Sequence, residues 1–134
     1  MVVKWNIGTT PDSILVNKML EDAIGTLSTS EHPLVHTDRG CHYRWAGGIK
    51  RMEAAELTRS MSKKGCSPDD AACEGFFGRL KNEMFYGRSW IGVSMDDFIN
   101  EINEYIICYN TKRIKQSLGH MSPAEYRHNL GLTA

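Results

Sequence analysis

The first apolar pattern along the chain is Val2-Val3-Lys4-Trp5-Asn6-Ile7, alternating and rich in β-branched residues, which predicts a strand. Thr10-Pro11-Asp12 follows with the signals of a helix start: a capping hydroxyl, a proline at the first helical position and an acid in the first turn. Val16, Met19, Leu20, Ala23 and Leu27 then share one stripe, so an amphipathic helix is expected to about Leu27. Leu34-Val35-His36-Thr37 reads as a short strand, and Leu57 to Met61 as another. Between them, Tyr43 to Glu56 has a weaker helical period, interrupted by Gly47-Gly48. Ser62 to Pro68 is a small polar loop, expected to be mobile. From Asp69 to about Tyr86 a helix is expected, with Cys73, Phe77, Leu80 and Met84 on one face and Phe76 at its edge. Ser94-x-x-Asp97 has the form of a capping box and opens a last long helix. Its apolar stripe is Phe98, Ile99, Ile102, Tyr105, Ile106 and Tyr109. Ser122-Pro123 starts a short terminal helix.

Length and charge narrow the picture. A chain of 134 residues is long enough for one domain with a sizeable core and short for two. Sixteen basic and sixteen acidic side chains cancel, so no global field selects nucleic acid. Locally the balance fails: Lys50, Arg51, Arg59, Lys63 and Lys64 make the middle basic, and Lys112, Arg113 and Lys115 form a second basic group. Such patches bind phosphates whatever the net charge. Asp96 to Glu104 is acidic instead. Four cysteines without paired short spacing, no signal peptide and no long apolar run predict free thiols and a cytoplasmic protein, with no membrane partner. His32, His36, Cys41, His42, Cys66 and Cys73 lie in one half of the chain, but the paired-cysteine half of a structural zinc site is absent.

Two carboxylates carry the candidate chemistry. Asp38, in His36-Thr37-Asp38-Arg39-Gly40, stands at the end of a short strand, where ordinary turn formation would also explain it. Glu74 lies beside the apolar face of its helix, about 90° from the centre. Lys81 is seven residues later and returns to within about 20° of Glu74. A solvated helix flank would explain that pair equally well. Taken together, a strand-end aspartate, a basic glycine-containing loop and a glutamate helix with a lysine on the same edge fit phosphodiester transfer. That chemistry uses two divalent ions about 3.5–4 Å apart. Magnesium and manganese select hard carboxylate oxygens, and a lysine holds a DNA phosphate as a point charge.

Three ordered blocks, "HTDRGCHYR", "SMSKKGCSPDDAACEGFFGRLKNEMFY" and "YNTKRIKQSLGHMSPAEYR", cover most of residues 33 to 128. In them the chain resembles the C-terminal part of the catalytic core of bacterial insertion-sequence transposases, within the retroviral-integrase superfamily. The resemblance implies an α/β, RNase H-like fold with an Asp-Asp-Glu triad that binds Mg²⁺ or Mn²⁺. Asp38 matches its second aspartate and Glu74 its glutamate, as catalytic metal ligands. Lys81 matches the basic residue seven positions later, and Lys63, Lys64 and Arg79 are further candidate contacts to DNA. Near the glutamate the family usually reads Asp-Asn-Ala; this chain reads Asp69-Asp70-Ala71, an extra acid that weakens attraction for DNA slightly.

The resemblance also implies that the triad's first aspartate and the first two strands of the sheet lie outside these residues, leaving a single partial integrase-core domain over 1–134. The Asp…Glu motif occupies 33–86 of it and the C-terminal helices 94–128. Such a chain is expected to be inactive by itself in DNA cleavage and strand transfer, and to expose strand edges that favour a homo-oligomer. The alternative is a non-catalytic module that binds DNA or a transposase.

Overall fold

The computed structural model describes residues 1–37, 45–61 and 71–132. The chain divides into two units, Lys4–Glu74 and a second formed by Met1–Val3 with Gly75–Ala134. The expected mobile loop at 62–68 and the strand-end residue Asp38 lie outside the described residues.

In the first unit, helix α1 (Ser13–Ile24) starts one turn signal later than expected. Asp12, not Thr10, is its cap: the extended Asp12 carboxylate accepts the Leu15 N–H at 2.8 Å. A carboxylate is the stronger cap, and it leaves Pro11 outside the helix. Strand β1 (Leu34–Thr37) forms where expected and pairs in parallel with β2 (Thr58–Met61), Leu34 opposite Thr58 and Thr37 opposite Met61. Parallel neighbours need a crossover, and helix α2 (Ala46–Ala54) lies within it, which makes this unit α/β.

The two glycines that weaken the helical pattern of α2 have a packing role. A Cβ on Gly47 would stand 2.9 Å from the Asn17 amide nitrogen of α1. Close approach of α1 and α2 thus compensates the roughly 1 kcal/mol that glycine costs inside a helix. Arg51 ties the pair further, donating to Glu21 and, at 2.9 Å, to the Gly47 carbonyl. The chain leaves α2 through Glu56, whose φ of 54° is left-handed. The Leu57 N–H then reaches the Met52 carbonyl at 2.8 Å and the Glu56 N–H that of Glu53 at 3.0 Å, a Schellman closure. Met52 and Leu57 are the buried side chains that this turn brings together.

The second unit is helical. Helix α3 (Ala71–Leu80) runs into a π turn (Lys81–Phe85), and the division between units falls within α3. The inward face is Phe76, Leu80 and Met84, in steps of four, instead of one centred on Cys73 and Phe77. Phe77 stays 50% exposed. The reason is an aromatic contact: Phe76 meets Tyr109 edge to face with centroids 5.0 Å apart, which turns the helix by about one residue.

Helix α4 (Met95–Thr111) buries Ile106, Tyr109 and Asn110. Its cap is half a box. Ser94 Oγ accepts the Asp97 N–H at 3.1 Å, but the Asp97 carboxylate meets the Ser94 hydroxyl at 2.7 Å. Aspartate is one methylene too short to reach back to the Ser94 N–H as Glu or Gln does. Helix α5 (Pro123–Asn129) has the full box, Ser122 with Glu125, on a completely buried serine. No helix among the described residues is long and apolar enough to cross a membrane.

Residues 2–7 form no strand. Alternating β-branched residues need a partner ladder, and at Val2 a side chain takes its place. Asn110 Oδ1 accepts the Val2 N–H and Asn110 Nδ2 donates to the Val2 carbonyl, both at 2.8 Å. The buried amide of α4 thus copies one rung of a sheet. Replacing it, as in Asn110→Leu, strands both backbone groups and is expected to cost about 1–3 kcal/mol in urea unfolding. An unchanged unfolding midpoint would show that this rung contributes nothing.

Candidate active-site helix

Helix α3 presents the candidate acid. Glu74 sits in its first turn, exposed, where a carboxylate also complements the positive end of the helix dipole. Lys81, exposed, follows at the first residue of the π turn, and helical period keeps it on the Glu74 edge. Arg79 lies about 140° round from Glu74. Asp38, Lys63 and Lys64 lie outside the described residues. Among the described residues no group of three or more His, Cys, Asp or Glu side chains is placed to hold a metal. Among the described residues neither Cys73 nor Cys108 is in a disulfide.

What holds the far end of this helix is a carboxylate that the pattern of apolar residues does not reveal. Glu83, in the π turn, receives both Arg113 Nη groups, one through a short bond and the other at 2.8 Å, and the Tyr105 hydroxyl at 2.9 Å. A two-pronged guanidinium–carboxylate pair fixes direction as well as distance. The π turn supplies the placement, because its wider winding re-aims the residues that follow Lys81. The Arg113 bonds hold the Glu83 carboxyl below the usual glutamate range, helped by Tyr105 and by the charges of Arg113 and Arg79. Tyr105 is pushed up to about 12, by desolvation first and then by the Glu83 carboxylate that its hydroxyl serves.

The second basic group is likewise largely committed. Arg113 grips Glu83, and Lys115 donates to the Tyr109 hydroxyl at 2.6 Å while its ammonium sits 4.6 Å from that ring. Lys112 stays exposed at the end of α4. The signal for this network was in the sequence as spacing, Glu83 with Tyr105 and Arg113. Nothing local distinguished it from surface charge.

Residues 74–130 match the integrase core domain family, a stretch that opens at Glu74. Over nearly its whole length the chain is similar to insertion-sequence transposases, and the integrase-core match covers its C-terminal part. It is 61% identical over 132 residues to a probable transposase for insertion sequence element IS1353 of Shigella flexneri, covering 98% of this chain and 26% of that protein. It is 35% identical to the putative transposase InsK for insertion sequence element IS150 of Escherichia coli K12, covering 95% of this chain and 44% of the relative. A transposase-like protein of Haemophilus influenzae is 31% identical, with 94% of this chain and 57% of its own length covered. The chain thus spans between about a quarter and just over half of these relatives. No solved structure matches it.

The Tyr105–Glu83 bond sets a pH dependence. The neutral phenol is the donor, so its contribution is complete below the ordinary tyrosine value of 10.0 and is lost as pH rises through about 12. Ultraviolet titration should find a late-ionising tyrosine that is absent in Tyr105→Phe. A titration curve that is the same for wild type and Tyr105→Phe at its high-pH end would contradict the bond.

Proposed function

We propose that the chain forms part of the catalytic core of a DDE-type recombinase that cleaves and transfers DNA strands, with Asp38 and Glu74 as its carboxylate ligands. The observation that carries this is the integrase-core match opening at Glu74, in a chain whose Asp38 directly follows β1 of a parallel β–α–β unit. The fold we assign is RNase H-like, with the 134 residues as one partial integrase-core domain. Its partners are DNA and further copies of the chain, and its setting is the bacterial cytoplasm.

The donor set fits Mg²⁺ or Mn²⁺, since both acids offer hard oxygens and Glu74 is open to solvent. Bound there, divalent metal would supply Lewis-acid activation of the attacking oxygen and stabilisation of the leaving one. Lys81 binds a DNA phosphate from the Glu74 edge of α3, and Lys63 and Lys64 do so from the segment preceding the helix. Arg79 contributes from a position about 140° round the same helix from Glu74. No third carboxylate in this sequence matches the triad, so these residues by themselves hold metal weakly and do not cut DNA.

Mn²⁺ titration followed by NMR tests the assignment. Paramagnetic broadening is expected around Asp38 and Glu74, and Asp38→Asn or Glu74→Gln should each weaken Mn²⁺ binding roughly tenfold or more. Supercoiled DNA with Mg²⁺ should remain un-nicked. Wild-type Mn²⁺ affinity in both variants would overturn the ligand pair, and nicking abolished by Glu74→Gln would overturn the claim that two acids are insufficient.

A further inference from the structure

Glu83 has two guanidiniums within range and is bonded to only one of them. Arg113 supplies both prongs of the bond. Arg79 stands four residues before Glu83 on the same helical stretch, a separation that returns a side chain to the same face. Its charge reaches Glu83 and helps to hold that carboxyl below the usual range. Arg79 is exposed, and among the described residues it makes no hydrogen bond or salt bridge. Lys81 is not part of this contest, because residues two apart on a helix do not face each other.

The outcome follows from geometry. Arg113 offers two parallel N–H groups, and its guanidinium lies 5.7 Å from the centre of the Tyr109 ring, which orders it beside the carboxylate. The Tyr105 hydroxyl takes further capacity on the Glu83 Oε2 that Arg113 also uses. Arg79 would meet Glu83 in the weaker order for a helix pair, cation before acid. Arg113 therefore fills the carboxylate, and the Arg79 fork of donors is left for something outside. Without Arg113, Glu83 would be an open carboxylate one turn from Arg79 and would draw that guanidinium onto itself. A guanidinium held in this way offers a phosphate fewer donors, and an uncovered acid repels the phosphate as well.

We propose that Arg113 is a positioning residue for DNA binding: by filling Glu83 it keeps the Arg79 guanidinium open to a backbone phosphate. The inference rests on the DNA-binding reading above and deepens it, giving a role to a basic residue that acts through another side chain. It concerns neither Asp38 nor Glu74 and uses no metal.

Two measurements on the 134-residue chain test this. NMR of the Arg79 Nε–H without DNA reports which group that side chain meets, and anisotropy of a short labelled DNA duplex across a salt series reports phosphate contacts. In Arg113→Ala, exchange of the Arg79 Nε–H should slow, DNA affinity should fall about threefold or more, and the salt slope should shrink by about one. Adding Glu83→Gln to Arg113→Ala should return all three to wild-type values, although the joint itself is gone. A purely structural role would instead leave the double variant as impaired as the single one. Arg79→Ala should weaken DNA binding in the wild type and add nothing in Arg113→Ala. Arg113→Lys, which keeps the charge and one prong, should show the same changes at smaller size, so the test stands even if Arg113→Ala loses helical circular dichroism. An unchanged Arg79 signal in both Arg113 variants would overturn the competition for Glu83, as would a double variant that binds DNA no better than Arg113→Ala. A wild type without salt-dependent DNA binding would overturn the DNA reading and the phosphate role with it, whatever the Arg79 signal shows.

Discussion

The helical unit depends on one carboxylate. Glu83 joins three elements that are far apart in sequence: the π turn that ends α3, the middle of α4 through Tyr105, and the turn after α4 through Arg113. A lone ion pair between solvent-exposed side chains contributes little. This one has two parallel prongs, a hydroxyl donor on the same carboxylate and an aromatic ring under the guanidinium, with Arg113 5.7 Å from the Tyr109 centroid. Those features convert a charge pair into a directional joint. Glu74 is carried by the same helix roughly two and a half turns earlier, so α3 links the candidate acid to an end that is mechanically fixed.

The joint also decides which charges face outward. Read as sequence, Lys112, Arg113 and Lys115 look like one phosphate-binding group. In the structure Arg113 and Lys115 serve Glu83 and Tyr109, and Lys112 is left to the solvent. In the other unit Arg51 is similarly engaged, tying α2 to Glu21 of α1. The basic side chains available to an outside phosphate are therefore fewer than composition suggests, with Lys81 and Lys112 exposed among the described residues.

The sequence was most legible where local chemistry settles the outcome. Leu34–Thr37 and the capped starts at Ser94 and Ser122 appear where period and caps place them, because strand propensity and N-terminal hydroxyls act over a few residues. It was least legible where a distant partner decides. Val2–Ile7 has a strand's pattern, but the rung at Val2 goes to a side chain 108 positions away. Phe76 outranks Phe77 because Tyr109 is waiting for it, and Gly47 is required by Asn17. The candidate site divides in the same way. The helical placement of Glu74 and Lys81 was readable from spacing, whereas the Glu83 network at the far end of α3 depends on residues up to 30 positions apart.

A double-mutant cycle on Glu83→Ala and Arg113→Ala, measured by urea unfolding, tests this joint most directly. A coupling of about 0.5–1 kcal/mol is expected, the double variant losing less than the sum of the single ones. Losses that add within about 0.3 kcal/mol would show that the two side chains act independently, and that α3 is not held by this pair.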